Sequence, residues 1–385
     1  MREAGVLLPL TSLPSPYGVG TLGEAAYRFI DFLQAGGQRY WQILPLGPTG
    51  YGDSPYQAFS SFAGNPYLID LEALIGQGLL TREECEAVDF GDDPARVNYL
   101  KLYEGRFALL RQAFQRFSPT SETFQEFCAS SAWWLEDYAL FMSIKAAHEM
   151  VSFQFWPDVY RRRDQEALEA FATAHQEEIR YWKFLQYLFY TQWGTLKGYA
   201  RDHGVKIIGD LPIYISPDSS DVWAAGHLFV LDEDLRPTYV AGCPPDAFSA
   251  DGQLWGNPLY DWEAHGETGY RWWLDRLRFA GEIYDVVRID HFRGFESYYA
   301  IPAAAKTAAH GRWRKGPGMD LIGTIRRELP QLGVIAEDLG YLTPAVRKLL
   351  AESGYPGMKV LQFAFDSREE SDYLPHNYPR NTVVY

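Results

Sequence analysis

Residues 284–294 read Tyr284-Asp285-Val286-Val287-Arg288-Ile289-Asp290-His291-Phe292-Arg293-Gly294. Tyr284 to Ile289 is nearly continuous in apolar residues, the pattern of a strand buried on both faces. Asp290 follows at once, at the C-terminal end of that strand. Two more runs place a carboxylate in the same way. Lys206 to Tyr214 carries Asp210 directly after Ile207-Ile208-Gly209, and Val334 to Glu337 carries Glu337 directly after Ala336. Further strand-type runs cover Gly5 to Leu10, Arg39 to Pro45, Lys359 to Phe365 and Thr382 to Tyr385. Helical patterns at Glu24 to Ala35 and Met319 to Leu329 lie between them. Such alternation predicts a parallel sheet. Its repetition favours a TIM (β/α)₈ barrel, with an open sheet ending on its last strand as the alternative. In a barrel the C-terminal ends of the strands form the active face. Asp210, Asp290 and Glu337 are therefore candidates for chemistry, whereas Asp338 is a candidate helix N-cap.

Two connections exceed what a barrel requires. Residues 71–200 are rich in helix signals and predict an inserted helical subdomain between strands 2 and 3. Residues 216–273 read as a long loop over the active face, a lid or binding wall. The expected division is therefore 1–70 for strands 1 and 2, 71–200 for the insert, and 201–385 for strands 3 to about 7.

Composition excludes several functions. The net charge of −15 repels phosphate backbones, so nucleic acid is a poor partner. Arg161-Arg162-Arg163, the one short basic run, reads as a solvated helix face. Cys85, Cys128 and Cys243 are too scattered for a disulfide framework or a zinc ribbon. The opening Met1-Arg2-Glu3-Ala4-Gly5 lacks the apolar segment of a signal peptide, and no run suits a membrane helix. A reducing, cytoplasmic location is expected, with the chain a monomer or weak homo-oligomer. Aromatic residues make up 16%, which fits either a core of large rings or a groove whose flat faces and polar edges suit sugars.

Retaining glycoside chemistry needs two carboxyl groups, one ionised and one protonated. Arg288 lies two residues before Asp290 on the same face and is expected to hold that carboxylate ionised. Asp290 is then the candidate nucleophile and Glu337 the candidate general acid/base. His291 and Arg293 are placed to contact sugar hydroxyls, or to serve as loop hydrogen-bond partners.

Several segments resemble the amylomaltases, bacterial 4-α-glucanotransferases of the α-amylase clan (glycoside hydrolase family 77). They are Thr11 to Gly20, Gly50 to Gln57, Gly209-Asp210-Leu211-Pro212, Gly256 to Tyr260, Arg288 to Gly294 and Ala336 to Gly340. The resemblance implies transfer of α-1,4-glucan segments between maltooligosaccharides, amylose or starch-type glucans, without metal or organic cofactor. It maps the nucleophile onto Asp290, the acid/base onto Glu337, the neighbouring arginine onto Arg288 and the third-strand acid onto Asp210. Tyr56, Asp246, Trp255 and Asn257 fall in segments that shape the donor and acceptor sites. Some members carry tyrosine where this chain has Ala247, which leaves Phe248 as the candidate ring; Tyr17 and Tyr51 are further wall candidates. The family continues past the Val383-Val384-Tyr385 strand into a segment with a third essential carboxylate and a histidine. The last barrel elements are accordingly expected to be missing here, and this stretch alone is expected to be inactive. A hydrolase of the same clan and a non-catalytic glucan-binding protein remain as alternatives. The first would raise the number of reducing ends and the second would show no turnover.

Overall fold

The computed structural model describes residues 2–50, 52–93, 95–246, 249–340, 342–365 and 372–385. The chain divides into two compact units, Met1–Ile207 with Asp218–Gly226, and Ile208–Pro217 with His227–Tyr385.

In the first unit β1 (Gly5–Leu7) and β2 (Tyr40–Gln42) pair in parallel, with Gly5 opposite Tyr40, and α1 (Glu24–Ala35) connects them. Ala26, Ile30 and Leu33 recur at helical spacing along α1 and are buried. Then come α2 (Leu71–Gly76), α3 (Arg82–Glu86), α4 (Tyr99–Arg116), α5 (Glu122–Ala147), α6 (Asp158–Arg161), α7 (Gln165–Ala174) and α8 (Gln176–Asp202). Most of the described residues from 71 to 202 are thus helical. Two buried glutamines of α8 show what the helices brace. The Gln186 side chain accepts from Gly64 N–H at 2.7 Å and donates to Gly64 C=O at 2.9 Å, and Gln192 does the same for Asp70. Each satisfies a loop peptide that burial would otherwise leave unpaired. Arg161-Arg162-Arg163 is a solvated face only in part, with Arg162 exposed. Arg161 is buried and paired with Asp158, and Arg163 pairs with Asp137 and lies over the Trp223 ring.

Strand β3 (Lys206–Leu211) crosses the boundary between the units, and α9 (Ser220–Ala224) belongs to the first. The predicted loop at 216–273 is more regular than its sequence suggests. It contains α9, β4 (Tyr239–Cys243), β5 (Gln253–Pro258), α10 (Trp262–Glu267) and the start of α11 (Arg271–Ile283). After β6 (Val286–Ile289), β7 (Ser297–Pro302) and β8 (Arg312–Lys315) complete a four-stranded antiparallel sheet in the order β5-β4-β7-β8. The remaining elements are α12 (Met319–Glu328), β9 (Gly333–Ala336), α13 (Pro344–Ser353), β10 (Gly357–Lys359) and β11 (Thr382–Val384).

In the second unit β3, β6 and β9 pair in parallel, Gly209 opposite Val287 and Val287 opposite Val334, and β10 pairs in parallel with β11. The strand expected over Lys359 to Phe365 instead ends at Lys359. Leu361–Phe365 is a 3₁₀ turn, anchored where Leu361 N–H meets Tyr385 O and Tyr385 N–H meets Lys359 O. Phe363 and Phe365 are exposed, so the apolar run there is not a buried strand. Asp338 caps no helix; Thr343 is the N-cap of α13.

The ring of Tyr284 fixes the identity of residue 209. A Cβ added to Gly209 would stand 2.2 Å from that ring. Gly209→Ala is expected to lower stability by about 1–3 kcal/mol through overpacking, read as an earlier thermal unfolding midpoint. An unchanged midpoint would show that the ring can move aside.

Candidate active site

Strand register brings the carboxylates together. Asp210 is opposite Arg288, and Ile289 is opposite Ala336, so Asp290 and Glu337 follow side by side at two adjacent strand ends. The ladder continues past the strands. Asp290 N–H donates to Leu211 O, Glu337 N–H to Ile289 O and Phe292 N–H to Glu337 O. Adjacent parallel strands lie about 4.8 Å apart, so the two carboxylates start from neighbouring backbone positions.

Arg288 ties two of the acids together. Its Nη1 lies 2.5 Å from Asp210 Oδ1 and 2.9 Å from Asp290 Oδ1. Asp210 is 3% exposed and shares that nitrogen with the nucleophile candidate, adding a second negative charge beside the guanidinium. Burial raises the Asp290 pKa, and the charge and hydrogen bond of Arg288 pull it back. The net direction is upward, contrary to the expectation that Arg288 alone would hold the carboxylate low. Desolvation outweighs the ion pair here.

Glu337 is 8% exposed. Its Oε2 accepts from His291 N–H at 2.7 Å and its Oε1 from Leu339 N–H at 2.8 Å. Burial comes first and the charge of Asp290 second in pushing its pKa up to about 7, against the lowering effect of Arg288 and the two N–H groups. The Asp290 charge adds to burial in raising Glu337, while the charge and hydrogen bond of Arg288 oppose the rise at Asp290.

His291 makes the turn between them. Its backbone is left-handed, with φ of 50°, and this folds Phe292–Phe295 into a 3₁₀ turn. Its ring meets Trp255 edge to face at 4.9 Å, and Tyr214 lies 6.2 Å from Trp255. Burial, assisted by the Arg293 charge, pushes the imidazole pKa down to about 3, so the ring is neutral. Its Nε2 finds no hydrogen-bond partner among the described residues.

Comparison with known proteins gives the family. The profile of the 4-alpha-glucanotransferase family aligns with residues 8–385. The chain belongs to that family. It is 51% identical over 391 residues to the 4-alpha-glucanotransferase of Thermus thermophilus, and 50% identical over 387 residues to that of Streptococcus pneumoniae serotype 4. Each alignment covers 100% of this chain and 77% of the relative. The solved amylomaltase of Streptococcus agalactiae in complex with acarbose superimposes with a TM-score of 0.97 at 44% identity, over 100% of this chain and 79% of that one.

The other expected 4-alpha-glucanotransferase site residues are placed as follows. Asn257 is buried and its amide donates to Ile215 O at 2.8 Å, bracing the chain that leaves β3. Trp255 is half-buried and donates from its indole to Gln253. Asp246 is exposed in the β4–β5 loop, where its carboxylate accepts from Ser249 N–H. Tyr56 lies half-buried in the first unit, its backbone N–H on the Ser54 hydroxyl. Phe248, Ala247 and Tyr51 lie outside the described residues. Arg293, weighed for a sugar contact, is buried, bonded to Ser297 and stacked 4.0 Å from Trp313. Sequence reading missed Met358, whose sulfur accepts from Arg288 Nε at 3.3 Å. Seventy residues separate the two, and no local pattern signals the pairing. Among the described residues no group of three or more His, Cys, Asp or Glu could hold a metal ion, and no helix is long and apolar enough to cross a membrane.

Proposed function

We propose that Asp290 and Glu337 carry out this 4-alpha-glucanotransferase's reaction by retaining double displacement. The observation that carries the reading is the Glu337 carboxyl, pushed up to about 7 beside an Asp290 paired with Arg288. Arg288 occupies Oδ1 of Asp290, and Oδ2 is the oxygen that attacks. As Oδ2 bonds to the anomeric carbon of an α-1,4-glucan, the glycosidic C–O bond breaks and Glu337 gives its proton to the leaving oxygen. An acceptor 4-hydroxyl then loses its proton to Glu337, and its oxygen displaces Asp290 from the anomeric carbon. Two inversions retain the α configuration, and Glu337 ends protonated as it began. These steps call on no metal or organic cofactor.

The neutral ring of His291 and the face of Trp255 form a sugar-contacting wall, with Asp246 and Asn257 as further contacts from their loops; Tyr56, in the first unit, is read as a substrate-binding residue in its own right. A positioned sugar hydroxyl outcompetes water where the site is walled. The parallel pairing of β3, β6 and β9 and the likeness to a solved amylomaltase support reading these strands as part of a (β/α)₈ barrel. Three free cysteines support a cytoplasmic, reducing location, and the working unit is read as a monomer or weak homo-oligomer.

Incubation with maltotriose tests the reaction. Longer and shorter chains are expected to accumulate while total reducing ends stay nearly constant. A steady rise in reducing ends would assign the chain to hydrolysis instead.

A further inference from the structure

Arg288 is held at three points, and one of them carries no charge. Beside its contacts with Asp210 and Asp290, its Nε donates to the thioether sulfur of Met358 at 3.3 Å. Met358 lies buried in β10, and its own N–H donates to Asp338 Oδ1 at 2.6 Å. Asp338 is buried and directly follows Glu337. The approach is close on both sides. A Cβ at Gly357 would come within 2.8 Å of Asp338 Oδ1, and Ala336 N–H is bonded to Pro356 O.

We infer that Asp338 and Met358 are positioning residues for the nucleophile: Asp338 fixes the backbone of β10, the Met358 sulfur fixes the plane of the Arg288 guanidinium, and the guanidinium aims Nη1 at Asp290. The inference rests on reading Asp290 as the nucleophile.

The chemistry of the acceptor supports it. A guanidinium is planar, so fixing Nε and Nη1 fixes the whole fork. An apolar side chain at 358 would leave a buried N–H unpaired. A carboxylate there would share the positive charge that Asp290 uses. A thioether is a weak, neutral acceptor and gives direction without competing for charge. The charged groups around Asp290 are Arg288, Asp210 and Glu337, and those around Asp338 are Lys359 and Arg347.

Met358→Leu keeps the volume and removes the acceptor. Glycosyl-enzyme formation is expected to slow by about tenfold or more, with KM for maltotriose little changed. The acid limb of the kcat/KM profile should move to higher pH, because a loosened Arg288 holds the Asp290 carboxylate less firmly. The basic limb, set by Glu337, should move less, because burial and the Asp290 charge outweigh Arg288 there. Met358→Gln, a neutral acceptor of similar length, should recover most of the loss. Asp338→Asn keeps an oxygen for the Met358 N–H and should lose less than Asp338→Ala. The Asp338→Ala/Met358→Leu double variant should be no slower than the slower single one. An unmoved acid limb in folded Met358→Leu, or losses that multiply in the double variant, would overturn the relay. Where Asp338→Ala does not fold, the Leu and Gln variants at 358 decide alone. Mass analysis of enzyme treated with an activated glycosyl fluoride separates the two readings. No label on Asp290 sinks the nucleophile assignment, whereas a labelled Asp290 with an unmoved acid limb in Met358→Leu sinks only the relay.

Discussion

Asp290→Asn is expected to lower turnover on maltotriose by about 10⁴-fold or more while leaving the fold in place, since removal of a covalent nucleophile leaves only binding and residual electrostatics. The amide oxygen can still accept from Arg288, but the amide nitrogen that replaces Oδ2 cannot attack the anomeric carbon. Arg288 keeps Asp210 at 2.5 Å, so no buried charge is left unpaired. The melting temperature should therefore stay near that of the parent, and a folded, inactive enzyme should still bind maltotriose. Initial rates and a binding titration check both halves. Activity within a hundredfold of the parent would mean that another group forms the covalent bond.

The same residues show how far the sequence could be read. Asp210, Asp290 and Glu337 were legible because each directly follows a run of apolar residues, and a strand buried on both faces leaves little ambiguity in register. The spacing of Arg288 and Asp290 gave their shared face, and the ion pair at 2.9 Å follows from it. The weight of burial against that pair was not legible, because desolvation depends on what the rest of the unit packs around the carboxylate. β4 and β5 escaped notice because Gly242, Cys243, Gln253 and Gly256 break the alternation that marks an antiparallel strand. Leu361–Phe365 misled in the opposite sense: an apolar run does not show whether its rings are covered, and Phe365 is 81% exposed. Asp338 resembled a cap because aspartate after a strand often precedes a helix. Its actual partner, Met358 N–H, lies twenty residues on in another strand.

Glu337→Gln should show that the general acid works at the expense of stability. Glutamine keeps the acceptor oxygen for one of the two N–H groups now bonded to the carboxylate, but it can neither donate nor recover a proton. Loss of that role lowers turnover on maltotriose by about 10²–10⁴-fold. A glycosyl fluoride needs no protonated leaving group, so its first step should survive. The glycosyl-enzyme on Asp290 should then accumulate, because no base activates the acceptor. In the parent enzyme the basic limb of kcat should fall near pH 7, where Glu337 loses its proton. In the variant that limb should vanish. Stability should move the other way. The folded pKa of Glu337 is raised from 4.5 to about 7, so between those values the folded state binds more protons than the unfolded one. Its stabilising contribution is complete below pH 4.5 and is lost as pH rises through 7. Glutamine carries no such penalty, so Glu337→Gln should melt higher than the parent at pH 8, with the gap narrowing towards pH 5. A parent enzyme whose melting temperature relative to the variant does not change across that range would place the Glu337 pKa in the ordinary carboxylate range and remove the basis for its role as acid.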